Sequence, residues 1–162
     1  MQTVEHIARY MHERGLLLTT AESCTAGLIA AMLADVAGAG ALLDCAFVAY
    51  SPESKLRGLG VPGRILRAYN LTSEPVACAM ARGALARSRA NVAIANTGVA
   101  DGGGEGVAAG TQCFAWAFRD GNAIDVYSET RRFMGGRNHI REQAARYALA
   151  RLPHYADRAA TA

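Results

Sequence analysis

The stretch Leu16-Leu17-Leu18-Thr19-Thr20-Ala21-Glu22-Ser23-Cys24-Thr25 decides the fold of this 162-residue chain. Its first four residues are typical of a short strand, and Gly15 before them ends a helix whose apolar residues repeat with helical period. From Ser23 or Thr25 to Val36 the pattern is helical again, with a hydroxyl residue at its start. The sequence therefore predicts a strand, a tight turn and a helix, with Ser23 on the turn.

Beyond this unit, helices and strands alternate early in the chain and a hairpin comes late. Strands are predicted at 46–50, at 91–97 and, on either side of the hairpin signal Asp120-Gly121, at 111–118 and 123–132. Further helices are predicted to begin at Ser51-Pro52-Glu53, at Ser73-Glu74-Pro75 and near His139. This order predicts an α/β fold with a mixed sheet and helices on both faces. We expect one domain over residues 1–153 and a frayed tail at 154–162.

Composition and charge narrow the function classes. The formal charge of +3 is small for this length and the arginines are scattered, which argues against nucleic acid as a partner. Four cysteines stand far apart, at Cys24, Cys45, Cys78 and Cys113. They form no CxxC pair and no Cys/His spacing of the kind that holds zinc. With no signal-peptide pattern and no apolar run of membrane-spanning length, we expect a cytoplasmic protein without a membrane partner.

Ligands of open α/β sheets lie where strands end and loops begin. Three turns meet that description: those after Thr20, after Tyr50 and after Thr97. The last of them enters the glycine-rich loop 98–110, whose run Gly102-Gly103-Gly104 is compatible with phosphate but matches neither the Walker pattern nor GxGxxG. We therefore expect the binding site at the edge of the sheet where these turns meet.

Ser23 is the candidate nucleophile. Where a strand gives way to a helix, backbone N–H groups and the helix dipole favour negative charge on a nearby oxygen. An oxyanion hole is therefore expected at the start of the following helix. The alternative is that Ser23 only caps that helix, which is the commoner role of a serine there.

Tyr50 and Lys55 are candidates for moving the serine proton. The helical turn from Ser51 is expected to fold Lys55 back towards the Tyr50 hydroxyl, where its ammonium would lower the pKa of the phenol. Either group, once desolvated, can take a proton from a serine. The alternative is that Tyr50 is a core aromatic and Lys55 a solvated surface charge.

Arg137 and Arg141 stand one helical turn apart near the start of the last helix, where the helix dipole disfavours positive charge. Their position favours a bound anion, and Gly135-Gly136 would let a phosphate approach the backbone. The alternative is that the arginines pair with acidic residues of the chain, namely Glu142, Glu129 or Asp125.

Several segments together resemble the CinA carboxy-terminal domain family, the nicotinamide-nucleotide amidases. The matching segments occur in the family's order and cover nearly the whole chain: 20–27, 48–55, 59–61, 73–76, 97–100, 110–111 and 135–144. The resemblance implies a three-layer α/β/α sandwich, and hydrolysis of nicotinamide mononucleotide to nicotinate mononucleotide and ammonia without a metal or cofactor. With the apolar helices, it also implies a homodimer or a higher homo-oligomer.

The same resemblance assigns roles to individual residues. It implies that Ser23 attacks the amide carbonyl and that Tyr50 and Lys55 handle its proton. The residues that it assigns to substrate binding, with Arg137 on the phosphate, are Thr97, Gly98, Arg137, Thr25 and Arg141.

Three positions depart from the family pattern. Ala26 stands where the family has glycine, so its methyl group is expected to narrow the approach to ligand or backbone. Asn96 replaces an apolar residue, and Asp101 adds a carboxylate that repels phosphate. We therefore expect a changed substrate preference; the alternative is a catalytically silent nucleotide-binding or regulatory module.

Overall fold

The computed structural model of the chain describes residues 2–102 and 106–162. Within these ranges five strands form one sheet in the order β2-β1-β3-β4-β5. The strands are β1 (Leu18–Glu22), β2 (Leu43–Val48), β3 (Val92–Gly98), β4 (Thr111–Asp120) and β5 (Ala123–Arg132). β1 pairs in parallel with β2 and β3, whereas β3 with β4 and β4 with β5 are antiparallel. The predicted mixed sheet is confirmed.

Seven α-helices and one short 3₁₀ helix, Ala39–Ala41, surround the sheet in the same part of the chain. The α-helices are α1 (Val4–Glu13), α2 (Leu28–Ala34), α3 (Pro52–Leu59), α4 (Gly63–Ala68), α5 (Glu74–Ala86), α6 (Arg137–Ala150) and α7 (Leu152–Thr161). Ser51 and Ser73 cap α3 and α5 as predicted, since their side chains accept hydrogen bonds from backbone N–H groups of the first turn. No helix within residues 2–102 and 106–162 has the length and apolar character needed to cross a membrane.

The helices divide between the two faces of the sheet. Alternate residues of β3 join different core clusters, with Val92 and Ile94 on one face and Ala93 and Ala95 on the other. The first cluster packs against α1, α2, α6 and α7, and the second against α3 and α5. This arrangement confirms the three-layer α/β/α sandwich.

On the face of the sheet that is lined by alanines, α5 packs very close to α3. A Cβ atom added at Gly83 of α5 would lie 1.9 Å from the carbonyl oxygen of Leu59, the last residue of α3. Only a glycine fits this contact, because a side chain there would overlap backbone. The close packing fixes α3, the helix that carries Lys55.

The expected frayed tail at 154–162 is wrong, because most of it belongs to α7. Tyr155 is 5% exposed, and its ring centroid lies 4.7 Å from that of Trp116 and 5.1 Å from that of Tyr127. A buried aromatic side chain contributes roughly 1.5–3 kcal/mol by area alone, enough to order a short amphipathic helix. The composition of the segment did not indicate this contact, because the residues around Tyr155 are mostly alanine and polar.

Candidate active site

A cleft of about 330 Å³ opens at the edge of the sheet where β1 and β3 end. It brings together five of the predicted site residues: Ser23, Tyr50, Lys55, Thr97 and Gly98. A second lobe of about 190 Å³ adjoins this cleft. Tyr50 lines both lobes, and Arg137 lines the second one. The turns after β1, β2 and β3 therefore meet at one site, as their positions in the sequence predict.

Lys55 contacts Ser23 at the bottom of the cleft. Lys55 Nζ lies 3.0 Å from Ser23 Oγ, 2.9 Å from the carbonyl oxygen of Ala49 and 3.0 Å from that of Tyr50. The expectation that Lys55 approaches the Tyr50 hydroxyl is wrong. α3 begins directly after Ser51 and turns Lys55 inward, where it is 1% exposed, while the Tyr50 residue is 55% exposed.

Burial makes the neutral form of Lys55 more accessible than it is in an exposed lysine. Burial lowers the pKa of the Lys55 ammonium to about 8, because the charged form loses its hydration. A neutral amine has two hydrogens, which match the carbonyl oxygens of Ala49 and Tyr50, and one lone pair, which then faces the Ser23 hydroxyl. The geometry is that of a general base beside a nucleophile.

The predicted oxyanion hole at the start of α2 is wrong, because a buried carboxylate already occupies that position. Glu22 is fully buried and accepts hydrogen bonds from the N–H groups of Gly27 (3.1 Å), Ile29 (2.9 Å) and Ala30 (3.1 Å). The N–H groups at the start of α2 therefore already have an acceptor that belongs to the protein. The sequence shows Glu22 beside Ser23 and gives no sign that its side chain turns back onto the helix.

The capping role considered for Ser23 is also wrong. α2 begins at Leu28, five residues after Ser23, and Gly27 is its cap. Within the described residues, the N–H group of Cys24 is the one in the turn 23–28 that has no protein acceptor. Cys24 lines both lobes of the cleft, so its N–H group is the remaining candidate for an oxyanion donor.

Thr25 and Ala26 do not reach the cleft. The Thr25 hydroxyl donates to Glu22 Oε1 at 2.7 Å and the residue is fully buried, so Thr25 does not line the cleft and its contact with substrate stays a prediction. Ala26 adopts a φ of 46°, in the left-handed region that favours glycine, and it is exposed. Its methyl group lines neither lobe, contrary to the expectation that it narrows the approach to the ligand.

Asn96 holds the turn that carries the nucleophile. Its carbonyl oxygen accepts from the Ser23 N–H group at 2.9 Å, and its Oδ1 accepts from the Thr25 N–H group at 3.0 Å. Its Nδ2 donates to Gln112 Oε1 at 2.9 Å, and Gln112 Nε2 donates to the carbonyl oxygen of Val99 at 3.2 Å. Asn96 and Gln112 are fully buried. The sequence signalled this network only through a polar residue inside an apolar strand.

Arg137 lies in the second lobe and pairs with a residue that the sequence did not indicate. Its Nη1 lies 2.5 Å from Asp101 Oδ2, and its Nη2 donates to Tyr50 Oη at 3.0 Å. The alternative partners named from the sequence do not bind it, and Glu129 instead accepts from Arg151. Asp101, at which the loop departs from the family pattern, therefore forms an ion pair with Arg137, the predicted phosphate ligand.

Arg141 supports the nucleophile turn from outside the cleft. Its Nε donates to the carbonyl oxygen of Cys24 at 2.8 Å, and its Nη2 to that of Thr25 at 3.4 Å. Arg141 lines neither lobe of the cleft, and its contact with substrate stays a prediction.

Thr97 and Gly98 line the cleft, and their contacts with substrate stay predictions. The Thr97 hydroxyl donates to the carbonyl oxygen of Leu71 at 2.9 Å, which holds the opposite wall in place. Gly103 and Gly104 of the predicted phosphate-compatible loop lie outside the described residues. Within residues 2–102 and 106–162, no group of three His, Cys, Asp or Glu side chains is placed to hold a metal ion.

Comparison with known proteins gives consistent matches along the chain. The family described as CinA C-terminal domain matches residues 1–156. The nicotinamide-nucleotide amidohydrolase PncC of Escherichia coli K12 is 42% identical over 156 residues, which cover 94% of this chain and 92% of that protein. A Symbiobacterium thermophilum protein described as competence-damage inducible is 44% identical over 156 residues and 92% of this chain, which spans 37% of that protein's length. The crystal structure of a CinA superfamily protein from Klebsiella pneumoniae has a TM-score of 0.86 and 38% identity, covering 93% of this chain and 96% of that one.

Proposed function

Because the chain belongs to the CinA C-terminal domain family, we propose that it is an amidase that hydrolyses the carboxamide of a pyridine nucleotide such as nicotinamide mononucleotide. The products are the corresponding carboxylate and ammonia. The observation that carries the proposal is the buried contact between Lys55 Nζ and Ser23 Oγ in the cleft. The name of the Escherichia coli relative supports the choice of substrate.

In the first step, neutral Lys55 takes the hydroxyl proton of Ser23 while Ser23 Oγ attacks the carboxamide carbon. The carbonyl oxygens of Ala49 and Tyr50 hold the amine in place throughout and accept two hydrogens of the ammonium that forms. A lysine base of this kind requires a pKa near the working pH, which burial supplies.

The tetrahedral intermediate carries its negative charge on the former carbonyl oxygen. We assign the Cys24 N–H group to this oxyanion, since Cys24 follows the nucleophile and lines both lobes. The turn is held for this task by Asn96 from the sheet and by Arg141 from α6. A single donor of this type contributes on the order of 10²-fold to the rate.

Collapse of the intermediate completes the first half of the reaction. The C–N bond breaks, the Lys55 ammonium gives its proton to the leaving nitrogen, and ammonia departs from a Ser23 ester. Water then attacks the ester carbon while Lys55, neutral again, takes the water proton. The bond between the ester carbon and Ser23 Oγ then breaks, the Lys55 ammonium returns the proton to Ser23 Oγ, and the acid loses its own proton to solvent as the carboxylate leaves.

The proposal is tested by measuring ammonia release from nicotinamide mononucleotide and related pyridinium carboxamides. We expect the wild-type chain to release ammonia and the corresponding acid in equal amounts. Ser54→Ala, which removes an exposed hydroxyl on α3, serves as the matched control and keeps full activity. A pure, folded chain that releases no ammonia from any of these amides would overturn the proposal.

The second candidate function is a nucleotide-binding module without turnover, favoured by the ion pair between Asp101 and Arg137 in the second lobe. In that case the chain binds a mononucleotide with an affinity that Ser23→Ala leaves unchanged, and no ammonia forms. Calorimetric titration of both proteins beside the ammonia assay distinguishes the two functions.

Two further expectations remain proposals. A homodimer or larger assembly is supported by five large apolar or aromatic residues that are exposed in the single chain: Val48, Tyr50, Leu56, Tyr69 and Met134. Light scattering of the purified protein measures the assembly directly. A cytoplasmic location is supported by the four cysteines, which are free thiols.

A further inference from the structure

Gln112 of β4 lies across Gly98 of β3, its partner in the antiparallel pairing. A Cβ atom added at Gly98 would lie 2.2 Å from Gln112 Oε1 and 2.4 Å from Gln112 Cδ, so the glutamine side chain fills the space that a larger residue at 98 would need. Gln112 is fully buried, and Gly98 lines both lobes of the cleft. The Gln112 amide is therefore packed against the wall of the site without forming part of its lining.

Both ends of the Gln112 amide are hydrogen bonded. Nε2 donates to the carbonyl oxygen of Val99 at 3.2 Å and to Cys24 Sγ at 3.4 Å, and Oε1 accepts from Asn96 Nδ2 at 2.9 Å. The Val99 oxygen also accepts from the Gly110 N–H group at 3.0 Å, so backbone pairing holds it in place. Because a carbonyl oxygen can only accept, the Val99 contact fixes which end of the Gln112 amide faces the loop.

The orientation of Gln112 decides the orientation of Asn96. With Gln112 Oε1 towards it, the Asn96 amide presents Nδ2 to Gln112 and Oδ1 to the opposite side. Asn96 Oδ1 accepts there from the Thr25 N–H group at 3.0 Å, in the turn that carries Ser23. A chain of hydrogen bonds with one direction therefore runs from the Val99 carbonyl through two side-chain amides to the nucleophile turn.

The loss of Gln112 would act on the nucleophile turn through Asn96. An Asn96 amide without this partner can turn over and present Nδ2 to the Thr25 N–H group, so that two donors face each other. A buried donor without an acceptor is costly, and the turn shifts to relieve it. The direct contact with Cys24 Sγ adds less, since a sulfur atom is a weak acceptor.

From this geometry we infer that Gln112 is a positioning residue, which orients the Asn96 amide and thereby the turn that carries Ser23 and the Cys24 N–H group. The inference rests on the proposed amidase function and adds a residue to the support of its site. Gln112 lines neither lobe, so it acts on the alignment of the reacting atoms more than on the binding of substrate.

The first test is the kinetics of Gln112→Met, which removes the amide at a similar side-chain volume. We expect kcat to fall about tenfold and KM to change less than about threefold. Gln143→Met removes a glutamine hydrogen bond to the Met134 carbonyl oxygen outside the cleft and is the matched control, with kcat and KM within about twofold of the wild type. An unchanged kcat in Gln112→Met, or a loss confined to KM, overturns the inference. If Gln112→Met does not fold, Gln112→Val, a good strand former, replaces it.

A double variant separates action through Asn96 from a general loss of packing. If Gln112 acts through Asn96, the kcat of Asn96→Ala/Gln112→Met should equal that of Asn96→Ala alone, about tenfold below the wild type. Independent effects would multiply to a fall of about 100-fold, and that result overturns the inference.

Hydrogen exchange keeps this inference separate from the amidase proposal, because it needs no turnover. In Gln112→Met the Thr25 amide should exchange about tenfold faster than in the wild type, while the Ile29 amide, which Glu22 accepts, keeps its rate. This result supports the role of Gln112 even if no ammonia is released from any substrate. An unchanged rate at Thr25 overturns the inference, and so does an equal acceleration at both amides, which would show a general loss of stability.

Discussion

Lys55 Nζ lies 3.0 Å from Ser23 Oγ although 32 residues separate the two in the chain. The contact follows from topology, because β1 and β2 are parallel neighbours and end at the same edge of the sheet. Ser23 follows β1 directly, and α3, which carries Lys55, begins four residues after β2. Both residues are buried, at 7% and 1% exposure, so their interaction takes place largely out of water.

The base assignment predicts how activity depends on pH. Since only the neutral amine accepts the Ser23 proton and burial lowers the Lys55 pKa to about 8, kcat/KM should rise with pH and level off above about pH 8. The measurement is ammonia release across the range from about pH 6 to pH 10.

Lys55→Arg is the control for this profile, because a guanidinium keeps its charge and stays protonated. We expect its activity to fall by about 10³-fold at about pH 9 and the rise of kcat/KM towards pH 8 to be lost. A wild-type profile that levels off near pH 6.5, as a histidine base would give, contradicts the role of Lys55.

Glu22 is expected to stabilise the fold more than any exposed acid. Its carboxylate accepts five hydrogen bonds, three from backbone N–H groups of the α2 cap and first turn and two from the hydroxyls of Thr20 and Thr25. Glu22→Gln replaces one acceptor oxygen by a donor facing donors, so the free energy of unfolding in urea should fall by about 2–4 kcal/mol. Glu53→Gln, which breaks an exposed pair with Arg57, should lower it by less than about 1 kcal/mol. Equal losses would show that Glu22 does not anchor α2.

Local signals predicted much of this fold. The starts of α3 and α5 could be placed from sequence, because a serine cap followed by proline and an acid acts within one turn. The hairpin of β4 and β5 was equally local. The tail was not, since the order of α7 depends on the stacking of Tyr155 on Trp116, 39 residues away in β4.

The sequence predicted which residues form the site better than it predicted the contacts between them. Ser23, Lys55 and Arg137 were all named from the sequence, but their partners are set by strand pairing and by side-chain rotamers. The ion pair of Arg137 with Asp101 joins a loop to α6 across 36 residues, and no local pattern specifies it. The same holds for Glu22, whose side-chain direction decides whether α2 offers free N–H groups or a filled cap.

Asn96 is expected to support catalysis by holding the nucleophile turn. Asn96→Ala removes the acceptor of the buried Thr25 N–H group and the donor to Gln112. We expect kcat to fall about tenfold with KM changed less than about threefold, and the free energy of unfolding to fall by about 1–3 kcal/mol. Asn122→Ala, at the exposed hairpin turn, is the control and should change neither. An unchanged kcat in Asn96→Ala would show that Asn96 does not support catalysis.

Ala26 stores strain that a glycine would relieve. Its φ of 46° lies in the left-handed region, which costs an alanine about 1–2 kcal/mol. Ala26→Gly should therefore raise the free energy of unfolding by about 0.5–1 kcal/mol and leave activity within about twofold. Ala31→Gly, at an exposed position inside α2, should lower it by about 0.5–1 kcal/mol. The same sign of change in both variants would contradict the assignment of strain.

The central claim is that Ser23 is the nucleophile of an amidase, and the initial rate of ammonia release by Ser23→Ala tests it most directly. The rate is compared with that of the wild type on whichever pyridinium carboxamide the wild type hydrolyses faster. The account predicts a fall of at least about 10³-fold, with the variant still folded and still binding substrate. A rate within about tenfold of the wild type would contradict it.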